Sequence, residues 1–220
     1  YRNNVIYNWG GNNVYAGEGG RYNIVNNYYK PGPATAKNAR TRIVNPYNKP
    51  PTIPFGKFYV AGNYVEGSTE VTANNWLGVV MNNGTDADAK VARLDKPIAV
   101  LNIPATSASE AYSMVLKNVG AILPKRDTLD ERLIRDVQQG TGKLIDVQGG
   151  YPHGTAYELT VNAWPFLRSM PAPADSDKDG MPDEWEIKHG LDPNNATDTS
   201  GNKISKTYTN IEVYLNGILK

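Results

Sequence analysis

A chain of 220 residues is long enough for one sizeable domain and a small appendage. Its net charge of +1 provides no global field to recruit nucleic acid or anionic lipid, and no run approaches the roughly 18 apolar residues of a membrane span. The absence of cysteine excludes a disulfide framework and a thiolate metal site, and is compatible with a bacterial exported protein. Tyr outnumbers Phe 14 to 3, and planar rings with polar tips among many amides suit a sugar polymer. Asn and Gly also populate the turns of any β-rich fold, so composition alone decides nothing here.

From the first residue the chain repeats itself. Val5-Ile6-Tyr7-Asn8-Trp9, Ile24-Val25-Asn26-Asn27-Tyr28 and Val60-Ala61-Gly62-Asn63-Tyr64 each open on small or branched apolar residues, reach Asn in fourth place and close on an aromatic. The first two copies are 19 residues apart and the third follows after 36. Short strands repeated near every 20 residues predict a parallel β-solenoid, in which equivalent positions stack coil on coil. Asn8, Asn27 and Asn63 would then bridge the coils, because an amide both donates and accepts. Three unrelated strands of an ordinary all-β fold are the alternative.

Between the first copies, the glycines of residues 10–20 suit tight corners and lack the order of a dinucleotide-binding turn. Residues 34–54 read as an exposed loop carrying Lys37, Arg40, Arg42 and Lys49, either a solvated decoration or a grip on an acidic polymer. Residues 74–81 and 91–94 are expected to continue the sheet or cap it, and residues 100–103 to add a strand. The period then changes. Ala108, Ala111, Tyr112, Val115, Leu116 and Val119 form one helical stripe, with Ser107 and Glu110 as a capping box and Gly120 at the end. This predicts a helix over 107–119, and Leu129, Leu133, Ile134 and Val137 predict a second over 128–139. Both read as packing against the solenoid, with Asp130, Glu131 and Asp136 on a solvated face. Residues 143–147 and 156–161 look like short strands. Neither His153 nor His189 has the partners of a zinc site or a catalytic triad. The main domain is therefore placed at residues 1–170, ended by a stiff Pro-rich linker at 171–174.

Residues 175–220 form the tail. Asp175, Asp177, Asp179 and Asp183 occupy positions 1, 3, 5 and 9 of a twelve-residue loop, with Gly180 at 6 and Glu186 at 12. Calcium takes six to eight hard oxygens in a flexible cage, and this spacing supplies carboxylates, the backbone carbonyl of Met181 and a closing bidentate Glu. The predicted metal set is Asp175, Asp177, Asp179, Met181, Asp183 and Glu186, and the predicted cofactor is Ca2+. Pro171 and Pro173 forbid a helix before the loop, so it is half of an EF-hand and a staple rather than a switch. Asp192, Asn194 and Asp198 read as auxiliary oxygens or as turn and cap residues. A last helix is expected over residues 208–219. With so little core, metal binding would supply much of the tail's fold.

The opening run Tyr1-Arg2-Asn3-Asn4-Val5-Ile6-Tyr7-Asn8-Trp9-Gly10 and the stretch Asn26-Asn27-Tyr28-Tyr29-Lys30-Pro31-Gly32-Pro33 resemble pectate lyases of polysaccharide lyase family 1, in particular the secreted bacterial and fungal type. So do Gly17-Glu18-Gly19-Gly20, Lys125-Arg126-Asp127, Asp130-Glu131-Arg132, Gly140-Thr141-Gly142 and the Asp-rich loop, so the resemblance covers nearly the whole chain. It implies a right-handed parallel β-helix, here its C-terminal coils with flanking helices and a small calcium-binding tail. It also implies cleavage of polygalacturonate by calcium-assisted β-elimination, in a protein that is secreted, periplasmic or held at a bacterial surface. The family's base is an Arg in an Arg-x-Pro segment, and no Arg-x-Pro occurs here. The resemblance thus implies that base and catalytic calcium ligands come from an N-terminal portion of the same protein, before Tyr1, and that these residues alone do not catalyse. The other readings are a non-catalytic polysaccharide-binding solenoid and a calcium-stabilised adhesion or scaffold module.

Overall fold

A computed structural model describes residues 1–101, 103–123, 125–164, 166 and 169–218. Its internal contacts divide into two units, Tyr1–Phe166 and Leu167–Lys220.

Seven short strands run through the first unit: β1 (Val5–Tyr7), β2 (Tyr15–Ala16), β3 (Arg21–Val25), β4 (Tyr28–Lys30), β5 (Asn45–Pro46), β6 (Lys57–Ala61) and β7 (Tyr64–Val65). All their pairings are parallel. β4 lies between β1 and β7, β5 on β2, and β6 on β3, so each strand stacks on the one three places earlier. Parallel neighbours cannot be joined by a tight hairpin, and here the other strands make the journey round. Isolated parallel bridges from Val44 to Val79 and from Phe58 to Arg93 carry two of the sheets one residue further.

Register decides what stacks. Tyr22 lies over Phe58 and Tyr28 over Tyr64, with ring centroids 5.1 and 4.8 Å apart. Ile24, Tyr29, Ile43, Val44, Phe58 and Val65 are all buried to 2% exposure or less. Each such side chain contributes roughly 1.5–3 kcal/mol of transfer free energy. The corner between β3 and β4 uses Asn26 at φ 54°, and the next corner above it uses Gly62 at φ 69°. A Cβ on Gly62 would stand 2.0 Å from Asn26 Oδ1, so only glycine fits there.

The amides do form a ladder, in a register different from the expected one. Asn4 donates its side-chain N–H to Asn27 Oδ1 at 2.9 Å, Asn27 to Asn63 Oδ1 at 2.9 Å, and Asn63 to Asn75 Oδ1 at 3.1 Å. At each step the backbone N–H of the same residue donates to the same oxygen. Asn8 is not a rung. It sits past the end of β1 at φ 52°, and its Oδ1 accepts from Ala34 N at 2.7 Å. The first copy of the repeat was matched across sheets: Val5-Ile6-Tyr7 belongs with β4 and β7, whereas Ile24-Val25 and Val60-Ala61 belong to the β3–β6 pair. The second and third copies are in register as read, with Ile24 on Val60 and Tyr28 on Tyr64.

Among its described residues this unit also has four α-helices, α1 (Thr69–Ala73), α2 (Asp86–Ala92), α3 (Ala108–Asn118) and α4 (Thr128–Gln139), besides short 3₁₀ turns. Parallel strands and helices share the fold, and among the described residues helix exceeds strand, so the all-β expectation is too narrow. Ser107 Oγ accepts from Glu110 N, and the Glu110 carboxylate takes the Ser107 N–H in return. Tyr112 of α3 stacks on Tyr28 of β4 at 4.4 Å, which seats that helix against the strands. Three further expectations are corrected. Residues 34–54 are no exposed loop, because Ala39, Ile43, Val44 and Asn45 are buried there and β5 pairs within it. Residues 143–147 and 156–161 carry no strand, the latter being turns of 3₁₀ helix. Nor do the described residues of 100–103, Asn102 lying outside them.

The second unit holds α5 (Asp183–His189) and α6 (Asn210–Gly217). Its buried apolar residues are Met181 and Leu191, among those described, with Trp185 edge-on to Tyr214 at 5.1 Å. The end of the last expected helix, Leu219, lies outside the described residues.

Candidate metal site and surface groove

The Asp-rich segment folds on itself through its own carboxylates. Asp175 Oδ1 and Asp177 Oδ1 both accept from Asp179 N, at 3.3 and 3.2 Å, and Asp179 Oδ1 accepts from Met181 N at 2.8 Å. Lys178 and Gly180 take the left-handed conformation, at φ 62° and 95°, which turns the loop sharply enough to bring alternate side chains to one point. One oxygen each from Asp175, Asp177 and Asp179 lies within 4.8 Å of the others. A second group, Asp179, Glu186 and Asp198, meets the same limit, so Asp179 belongs to both.

Asp175 Oδ2 accepts from Gly180 N at 3.1 Å, but five other oxygens of this cluster are left over. Asp177 Oδ2, Asp179 Oδ2, both Oε atoms of Glu186 and Asp198 Oδ1 are buried without a hydrogen-bond partner among the described residues. Glu186 has 0% exposure. Burial, then the charges of Asp179, Asp177, Asp198 and Asp183, lift its carboxyl to about 7. Burial and the neighbouring Asp179 also raise Asp177. Unpaired buried carboxylates are costly, and one hard divalent cation would satisfy all of them together. The donor set fits calcium.

The six expected ligand positions do not behave alike. Asp175, Asp177 and Asp179 come together, and Glu186 meets Asp179 in the second group. Asp183 is diverted: its carboxylate accepts from Ser176 N and Ser176 Oγ, both at 2.7 Å, and these bonds hold it below the usual carboxylate range. Met181 buries its side chain fully, and its N–H orients Asp179. Asp198 joins the second group although the loop spacing gives no sign of it.

On the first unit, an open groove of about 680 Å³ is lined by Tyr7, Asn8, Arg132, Asp136, Lys143 and Gly149, among others. The segments that carried the family resemblance act here as joinery. Arg126 donates to the carbonyls of Val119 and Leu116 at the end of α3, and Asp127 caps α4 by accepting from Leu129 N and Asp130 N. Asp130 accepts from Ala121 N and Asp136 from Thr141 Oγ1, so neither is merely a solvated charge. Of the cations of residues 34–54, Arg40 and Arg42 hold backbone carbonyls of Gly32 and Gly11, and Lys49 pairs with Glu18 at 3.7 Å.

No family model matches the chain. Comparison with curated proteins gives a probable pectate lyase C of Aspergillus flavus, 32% identical over 230 residues, covering 100% of this chain and 48% of the relative. The probable pectate lyase C of Emericella nidulans is 33% identical over 222 residues, covering 100% and 47%, and that of Aspergillus terreus is 33% identical over 226. The chain is related to the pectate lyases. It spans about half the length of the curated relatives it matches. These pectate lyase relatives are fungal, so the expectation of a bacterial source finds no support among them.

Proposed function

We propose that the chain is the C-terminal portion of a secreted, pectate-lyase-like enzyme that cleaves polygalacturonate by calcium-assisted β-elimination. The carrying observation is the end-to-end match to proteins named probable pectate lyase C, over about half their length. The stacking of each strand on the one three earlier supports reading the first unit as coils of a parallel β-helix, with residues 1–170 as its C-terminal part. Such coils present a long flank to a polymer, and the groove beside β1 offers Arg132 and Lys143 to uronate carboxylates. β-Elimination removes the proton α to a uronate carboxylate, and calcium bound there neutralises charge and acidifies that proton. The base and the ligands of that catalytic calcium are proposed to come from a portion of the protein before Tyr1.

The tail is a structural staple in this reading. Asp175, Asp177, Asp179 and Glu186 hold calcium with the Met181 carbonyl, while Asp183 braces the loop through Ser176. The linker at 171–174 separates it from the lyase portion. An ultraviolet assay for the unsaturated uronate product tests the proposal. The complete protein should release product from polygalacturonate in a calcium-dependent manner, and residues 1–220 alone should not. Product formed by residues 1–220 alone would overturn the assignment of base and catalytic metal to a preceding portion. A complete protein inert on pectate and methylated pectin would favour a non-catalytic polysaccharide-binding solenoid.

A further inference from the structure

We propose that Asp198 is a ligand of the tail cation, closing a single calcium-sized site from outside the twelve-residue loop and tying that site to the last helix. The inference rests on the calcium reading of the loop. Asp198 Oδ2 accepts from Asp192 N at 3.1 Å, six residues back along the chain. That duty leaves Oδ1 unused. It is buried without a hydrogen-bond partner among the described residues, and Asp198 offers an oxygen within 4.8 Å of those of Asp179 and Glu186. Glu186 is wholly buried with both oxygens unpartnered, so the site asks for positive charge where Asp198 meets it.

The backbone around Asp198 is held as a ligand's should be. Its carbonyl accepts from Gly201 N at 2.8 Å and from Asn210 Nδ2 at 2.8 Å. Asn210 is the first residue of α6, is 1% exposed, and also accepts from Ile204 N at 3.2 Å. Asn210 is thus a positioning residue, and the start of α6 is fixed to the element that completes the cage. Asp179 is common to the group of Asp175 and Asp177 and to that of Glu186 and Asp198, so one cation held at Asp179 would take carboxylates from both. Adding ligand charge to such a cage tightens calcium binding.

Calorimetric titration of the full chain with Ca2+, after treatment with a chelator, tests this together with thermal unfolding with and without the ion. Asp198→Asn keeps an oxygen for the Asp192 N–H and removes one charge. It should raise the calcium Kd roughly tenfold or more, the scale of losing a site-completing group. The calcium-induced rise in Tm should shrink, while the calcium-free Tm stays level or rises because a like charge has left the cluster. Asp192→Asn changes the same charge nearby and should move Kd less than about twofold; equal weakening in both variants would overturn ligation in favour of a general field effect. Unchanged Kd in Asp198→Asn, with or without a lower calcium-free Tm, would overturn the proposal and leave the loop reading intact. A parent chain that binds no calcium would instead remove the reading on which the proposal stands.

Discussion

The two units solve the problem of buried polar groups in opposite ways. In the first, the interior amides satisfy one another. Asn27 gives two N–H groups to Asn63 Oδ1 and receives two from Asn4, and every rung repeats the exchange in the register the strands set. Tyr29 and Arg42 supply the only orphaned buried side-chain atoms found there among the described residues. In the second unit five buried carboxylate oxygens have no partner among the described residues, whose apolar core is little more than Met181 and Leu191. Repetition lets the coils be self-sufficient, because a neutral amide carries both halves of a hydrogen bond. A carboxylate carries only acceptors, so clustering carboxylates builds a demand that the described residues do not meet.

That contrast predicts unequal responses to chelation. Removing calcium should abolish cooperative unfolding of the tail and leave the strands of the first unit protected from hydrogen exchange. Ligand at about 1,000 times its Kd stabilises a fold by roughly 4 kcal/mol, comparable to all that so small a core can supply. Equal loss of protection in both units on chelation would break the comparison. Asp179→Ala, which removes the residue common to both acidic groups, should reproduce the effect of chelation in the tail even with calcium present.

In the first unit the sharpest break is Asn27→Leu. It leaves the part-buried Asn4 backbone N–H without its acceptor and takes one of two donors from Asn63 Oδ1, which keeps the Asn27 backbone N–H, so at about 1–3 kcal/mol for a group left unpaired the loss should be a few kcal/mol. Denaturant unfolding should register it, with calcium making no difference. A smaller effect is expected from Gly62→Ala. The added Cβ meets Asn26 Oδ1 and the residue must hold φ 69°, a strain of order 1–3 kcal/mol. Asn26→Gly in the same chain should relieve part of it by removing the obstructing side chain.

How far the sequence disclosed this depended on whether a feature was local. The capping box at Ser107 and Glu110 and the loop spacing from Asp175 to Glu186 are complete within a dozen residues, and both could be read directly. The ladder was half legible: Asn27 and Asn63 each follow a five-residue strand and look alike, while Asn4, which precedes β1 as Asn27 precedes β4 and Asn63 precedes β7, has before it only a single bridge at Arg2. Its last rung, Asn75, follows a short helix and bears no likeness to the repeat. The buried segment around Ile43 and Val44 hid among prolines and cations whose side chains turn back to hold carbonyls. Asp198 could be read only as one of three possible auxiliary oxygens, with Asp192 and Asn194, because its place at the cluster depends on Asn210 and the fold of everything between.

The tail should also respond to pH in a direction the coils do not share. Glu186 has an ordinary value of 4.5 and is lifted to about 7, first by burial and then by the surrounding acids. A carboxyl whose folded pKa lies above its unfolded one favours folding while protonated, so its contribution is present in full below about 4.5 and is lost as pH rises through about 7. Without calcium, the tail should therefore become less stable across that interval. Calcium reverses the sign: protons compete for the same oxygens, so affinity should increase as pH climbs toward 7 and then level off. Thermal unfolding at several pH values, in chelator and in calcium, should give curves of opposite slope for the tail. Glu186→Gln should flatten the chelated curve, since the amide cannot titrate, and a slope that survives this change would show that other acids of the cluster carry the linkage.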